Sequence, residues 1–95
     1  MRPDQIKVMG KRWSVSYEAM SADEMGESDL EKQHITIKDG LKPEQEKSTL
    51  LHEVLHAISD TLGAGLTEKQ VQGLETGLWA VLKDNPKFVT YLRKK

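Results

Sequence analysis

The chain has 95 residues, room for one domain and no more, with 1–40 reading mainly as β and 41–95 mainly as α. It has no cysteine, which excludes a disulfide framework, a thiolate metal site and a cysteine nucleophile, so any metal ligand has to be His, Asp or Glu. Its 14 Lys+Arg and 15 Asp+Glu are mixed along the chain and give a net charge of -1, which speaks against a nucleic-acid partner, and no apolar run approaches membrane-spanning length.

The N-terminus "MRPDQIKVMG" has no apolar signal core, so the expected compartment is the cytoplasm. Ile6 and Val8 precede a turn at Met9-Gly10, and Trp13, Val15 and Tyr17 then alternate with Arg12, Ser14 and Ser16. Period two with aromatic and β-branched residues predicts half-buried strands joined as a hairpin. "SADEMGESDLEKQ" is polar and broken by Gly26; it reads as a loop with a short strand near Met25 to Ser28. "HITIK" alternates again, with Ile35 and Ile37 on one face, and stops at Asp39-Gly40.

Helical signals follow. Pro43 suits a first helical turn, and Glu44 and Glu46 complement the N-terminal dipole. Leu51, Val54, Leu55, Ile58 and Leu62 form an apolar stripe, and Gly63 stops it. Thr67 reads as the next N-cap, followed by Val71, Leu74, Leu78 and Leu82. Asn85-Pro86 ends that helix and starts a short third one. The expected fold is α+β: a small antiparallel sheet of about three strands, two long helices and a short C-terminal helix.

The first helix carries "LLHEVLHAI", Leu50 to Ile58. His52 and His56 lie on one face, roughly 6 Å apart along the axis, so both imidazoles can reach one ion. Zinc takes His nitrogen at about 2.0–2.1 Å and prefers four ligands. Glu53 is rotated away from the histidines, poorly placed as a ligand but able to reach a metal-bound water and take its proton. This is the H-E-x-x-H spacing: two ligands and one base. Projected at ~100° per residue, the histidines point away from the apolar stripe, toward Ser48, Thr49 and Ser59, and so toward water or a cleft. The plain alternative is a chance pair on a solvated helix. A third ligand should come from another element, and Glu68, Gln72 and Glu75 share one face of the next helix.

The segments "STLLHEVLHAISDTLG", "LTEKQV..L..GL", "VLKDNPKFVTYL" and "MGESD...QHITIK" together resemble the small phage and prophage-type HExxH metallopeptidase-like proteins, related to the ImmA/IrrE-like minimal zincins. The resemblance covers nearly the whole chain. It implies that His52 and His56 bind Zn2+, that Glu53 is the general base, and that a peptide or protein is the substrate, in a bacterial host or phage-infected cell. It implies a third ligand at the start of the following helix, three residues before a small or branched apolar one; here that is Glu68, before Val71. One turn later Gln72 stands where such sites have a second-shell partner. The related pattern has a small residue where this chain has Glu75, so Glu75 remains the alternative third ligand. Glu75 could instead pair with Lys47 or Lys11. In zincin-like proteases an edge strand above the metal helix pairs with an extended peptide. "HITIK", with His34, Ile35, Thr36 and Ile37, is the candidate; otherwise it is simply a sheet strand. His34 is a remoter candidate ligand. Trp13 and Tyr17 read as core; Trp79 and Tyr91 either line the cleft or pack the C-terminal helix.

The leading function is a zinc-dependent peptide hydrolase. Its rivals are a non-catalytic, metal-stabilised binding or regulatory module of phage origin, and a phage structural or host-interaction protein whose histidines are incidental.

Overall fold

A computed structural model of the chain describes residues 2–95. The elements run β1 (Gln5–Val8), β2 (Lys11–Glu18), β3 (Gly26–Asp29), β4 (His34–Lys38), α1 (Pro43–Leu62), α2 (Glu68–Asp84) and α3 (Pro86–Arg93). The class is α+β, as the strand-then-helix pattern implies. The sheet differs from the expected one. It has four strands rather than about three, in the order β1-β2-β4-β3, and it is mixed: β2 and β4 are parallel, the other two pairs antiparallel.

The first hairpin turns through Met9 and Gly10, both with positive φ, the two-residue turn whose twist suits flanking strands. From β2 the polar segment 19–25 carries the chain past the position of β4 to the far edge. There β3 forms and β4 returns between β3 and β2. The apolar content of the two strands explains the order. Ile35 and Ile37 of β4 are fully buried, which suits an interior strand, whereas β3 is "GESD", the polar composition of an edge. "HITIK" is therefore not an edge strand: His34–Lys38 pairs on one side with Ser14–Glu18 and on the other with Gly26–Asp29.

The core is Val8, Trp13, Val15, Ile35 and Ile37 of the sheet with Ala57 of α1, and Leu50, Val54 and Ile58 pack against it. The face of α1 on the sheet thus keeps Val54 and Ile58 of the expected stripe and adds Leu50 and Ala57 to them. Leu55 is buried outside that cluster, and Leu62 is exposed. The reason is that α1 has cover on two sides, the sheet and α2, and a single amphipathic stripe cannot describe two contacts. Of α2 only Val71 is buried, and no residue of α3 is; Leu74, Leu78 and Leu82 stay half-exposed. Among the described residues no helix is long and apolar enough to cross a membrane.

Candidate metal centre

Local sequence rules place the two helices that meet at the histidines. α1 ends at Gly63, whose left-handed backbone (φ 65°) lets Gly63 N–H reach Asp60 O at 3.3 Å and Ala64 N–H reach Ser59 O at 2.9 Å. This double bond is the Schellman stop that glycine makes inexpensive. The Ser59 hydroxyl then accepts from Leu66 N–H at 3.0 Å and ties the loop back onto α1. Thr67 and Gln70 cap the start of α2 reciprocally, at 3.1 and 2.9 Å, which is a capping box. Glu68 is therefore held in the first turn of α2, opposite the middle of α1.

From that position one carboxylate reaches both histidines. Glu68 Oε1 lies 2.6 Å from His52 Nε2, and Glu68 Oε2 lies 2.9 Å from His56 Nε2. The two imidazole rings meet edge-on, with centroids 4.9 Å apart. One donor atom from each of His52, His56 and Glu68 can be chosen so that all lie within 4.8 Å of one another. Donors on a tetrahedral zinc with bonds of about 2.0–2.1 Å stand roughly 3.3 Å apart, so small side-chain adjustments suffice to seat an ion.

The surroundings of His52 add to the fit. Its Nδ1 lies 3.1 Å from Glu75 Oε1. A neutral ring that donates from Nδ1 to Glu75 turns the Nε2 lone pair toward Glu68. His52 Nε2, His56 Nε2 and the Glu68 carboxylate then face one another across a space that an ion could occupy. Glu75 thus has the position of a carboxylate that orients a ligating histidine. Gln72, the residue expected to do this, lines the cleft but makes no hydrogen bond to either histidine among the described residues. Lys47 and Lys11, the cations considered for Glu75, are likewise not its partners; His52 is.

Glu53 lies apart from this donor set, on the side of α1 that faces β3. It is only 6 % exposed. The enclosing strand comes so close because residue 26 is glycine. A Cβ there would stand 3.1 Å from Thr36 O, 3.1 Å from Thr49 Cγ2 and 3.2 Å from Glu53 Cγ. Burial pushes the Glu53 carboxyl above its ordinary range and Glu68 adds to this, while the imidazoles and a hydrogen bond with the Ser28 side chain pull the other way without cancelling it. Glu68 shows the opposite balance: burial raises it, but the hydrogen bonds and charges of His52 and His56 win and hold it low.

These residues line one open cleft of about 690 Å³, bordered by β3, the face of α1 from Gln45 to Asp60, and the start of α2. Past Glu75 it adjoins a smaller hollow lined by Trp79 and Lys42. Tyr91 is 74 % exposed and belongs to neither. The strand residues named as peptide-binding fall elsewhere. Ile35 and Ile37 are core, and His34 and Thr36 alternate onto the opposite face of the sheet. His34 is engaged there, 2.5 Å from Ser14 Oγ and 2.8 Å from Ser16 Oγ, so it is no ligand of this centre. The strand with an open edge beside the cleft is β3.

Sequence reasoning missed Gly26, Ser28 and Asp60. A glycine inside a strand signals close backbone approach. Asp60 continues the His52–His56 spacing by one more turn, so a longer look along that helix face finds it. Comparison with family models, with curated proteins and with solved structures finds no match for the chain. The functional reading therefore rests on the site's own residues.

Proposed function

We propose that the protein is a zinc-dependent hydrolase of peptide bonds, a minimal zincin-like metallopeptidase. The observation that carries this reading is the convergence of His52 Nε2, His56 Nε2 and the Glu68 carboxylate beside the buried, unligated Glu53. A zinc ion held by His52, His56 and Glu68 would supply Lewis acidity to a carbonyl oxygen and lower the pKa of a water. Glu53 is the group that moves the proton: it takes one from the attacking water and delivers it to the departing amine. Its raised proton affinity suits that task, because a base is most effective when its pKa lies nearer the working pH. Glu75 holds the His52 ring in the ligating tautomer. The open edge of β3, at Gly26–Asp29, offers backbone groups to an extended peptide.

One observation favours a non-catalytic, metal-braced module instead. α2 buries only Val71, so an ion linking Glu68 to α1 would stabilise the helix pair whether or not turnover occurs. Incubating zinc-loaded protein with a peptide mixture and reading products by mass spectrometry separates the two. Cleavage that falls by at least about a hundredfold in Glu53→Gln, with zinc retained, supports the hydrolase. Zinc retained with no cleavage by the parent protein supports the module.

A further inference from the structure

The charge along the cleft is one-sided. Asp23, Glu24, Glu27, Glu53, Asp60, Glu68 and Glu75 all line it, and among the described residues no lysine or arginine does. The chain as a whole is nearly balanced, with 14 Lys+Arg against 15 Asp+Glu, so this is segregation and not composition. Besides Glu27, which lies on β3, three of these carboxylates are not needed by the metal centre. Asp60 follows His56 by one turn on the same helix face, and Asp23 and Glu24 lie in the segment before β3. That segment is tied to the end of β4, where Lys38 N–H donates to Met25 O at 2.8 Å, and it approaches the start of α1, where Gln45 Nε2 lies 4.0 Å from Met25 Sδ. The extra carboxylates therefore bracket the histidines, one group toward each end of α1. Among the described residues none of the three is in an ion pair.

From this arrangement we infer that the cleft selects a cationic peptide segment, with Lys or Arg side chains on both sides of the bond presented to the metal centre. The inference rests on the hydrolase reading for cleavage, but not for the binding itself. The carboxylates do not create the site; the histidine–glutamate donor set and the open β3 edge do. They decide which charge it accepts, because a groove lined by one sign with protein walls focuses its field. Length fits an extended chain: Gln45 to Asp60 spans roughly 22 Å along α1, which six or seven extended residues cover. A bound divalent ion cancels part of the charge at the centre but leaves Asp23, Glu24 and Asp60 at the ends. An acidic peptide or a nucleic acid meets like charge there.

The test uses three labelled peptides of equal length whose variable positions are all lysine, all glutamine or all glutamate. Binding to zinc-loaded Glu53→Gln is read by fluorescence anisotropy at low and high salt, and cleavage by the zinc-loaded parent by mass spectrometry. The lysine peptide is expected to bind about tenfold more tightly than the glutamine peptide at low salt, the size of a few exposed charge pairs acting together. High salt should shrink that ratio. Asp60→Lys combined with Asp23→Lys should remove it while zinc content is unchanged. Glutamine or glutamate peptides binding as tightly as the lysine peptide, or no peptide binding at all, overturns the inference. Cleavage without a charge preference overturns it and leaves the hydrolase standing. Selective binding of the lysine peptide without cleavage supports it and removes the hydrolase.

Discussion

Glu75 Oε1 lies 3.1 Å from Nδ1 of His52, the ring nitrogen opposite the one that faces Glu68. This single contact sorts the two glutamates of α2 into different tasks. Glu68 shares its carboxylate between both histidines, and Glu75 reaches only the back of one. If the centre binds zinc as proposed, removing Glu68 deletes a ligand, and removing Glu75 releases a ring.

We therefore expect Glu68→Ala to weaken zinc binding more than Glu75→Ala. Loss of a carboxylate that orients a ligating histidine typically costs 10–100-fold in metal affinity, so about tenfold is expected for Glu75→Ala. Competition with a chromophoric chelator measures both variants beside the parent. A larger loss for Glu75→Ala would exchange the two assignments.

Zinc should also raise the melting temperature. The proposed ligands come from α1 and α2, so zinc held by them would bind the folded chain and not the unfolded one. At a free concentration a hundred times Kd this adds about 2.7 kcal/mol. In a domain of this size, about 1 kcal/mol moves Tm by roughly 4–8 °C. His52→Ala and His56→Ala should each lose most of the shift in differential scanning fluorimetry. A shift of full size in either variant would mean that the ion sits elsewhere.

Which of these features were legible beforehand follows from the range of the signal. The HExxH spacing, the Thr67 cap, the Met9-Gly10 turn and the Gly63 stop are local, and each is found where its residues imply. The order of the strands is not local. "GESD" and "HITIK" are both short and strand-like, and only the full burial of Ile35 and Ile37, in a strand paired on both sides, decides which lies inside. Glu75 is ambiguous in the sequence for a related reason. Glu68, Gln72 and Glu75 share a helix face, and which of them reaches His52 depends on how α2 crosses α1. No residue pattern within either helix fixes that crossing.

In metal-free protein the buried Glu53 should make stability depend on pH. Burial raises its folded-state pKa above the unfolded value, near 4.5. Its contribution is then fully present below the unfolded pKa and is lost as pH rises through the folded pKa. Glu53→Gln cannot ionise, so at neutral pH it should be more stable than the parent, with the gap closing as pH falls toward about 4.5. Glu68 acts in the opposite sense, since its lowered pKa makes its contribution disappear as pH falls through the folded value. With its side chain 72 % exposed, that effect is small. Urea midpoints in chelator across this range test the pair. Parallel pH profiles for the parent and Glu53→Gln would contradict the burial account.

Gly26→Ala should destabilise the fold by about 1–3 kcal/mol, the usual cost of overpacking. The added Cβ meets Thr36 O and Thr49 Cγ2 at 3.1 Å, and a backbone oxygen cannot swing aside. Thr49→Ser removes one of the three close contacts, the others being Thr36 O and Glu53 Cγ, and should restore part of the loss. Chemical denaturation of the single and double variants reads this directly. Equal stability of Gly26→Ala and the parent would show that β3 does not press on Glu53.

The account stands or falls on one ion in one place. A crystal of the zinc-loaded protein, with diffraction recorded on both sides of the zinc absorption edge, locates that ion by its anomalous signal. The expected result is one strong peak within about 2.0–2.2 Å of His52 Nε2, His56 Nε2 and a Glu68 oxygen, with Glu75 still bonded to His52 Nδ1 and Glu53 outside bonding distance. No peak at the histidines, or a peak ligated by Glu53, would contradict it.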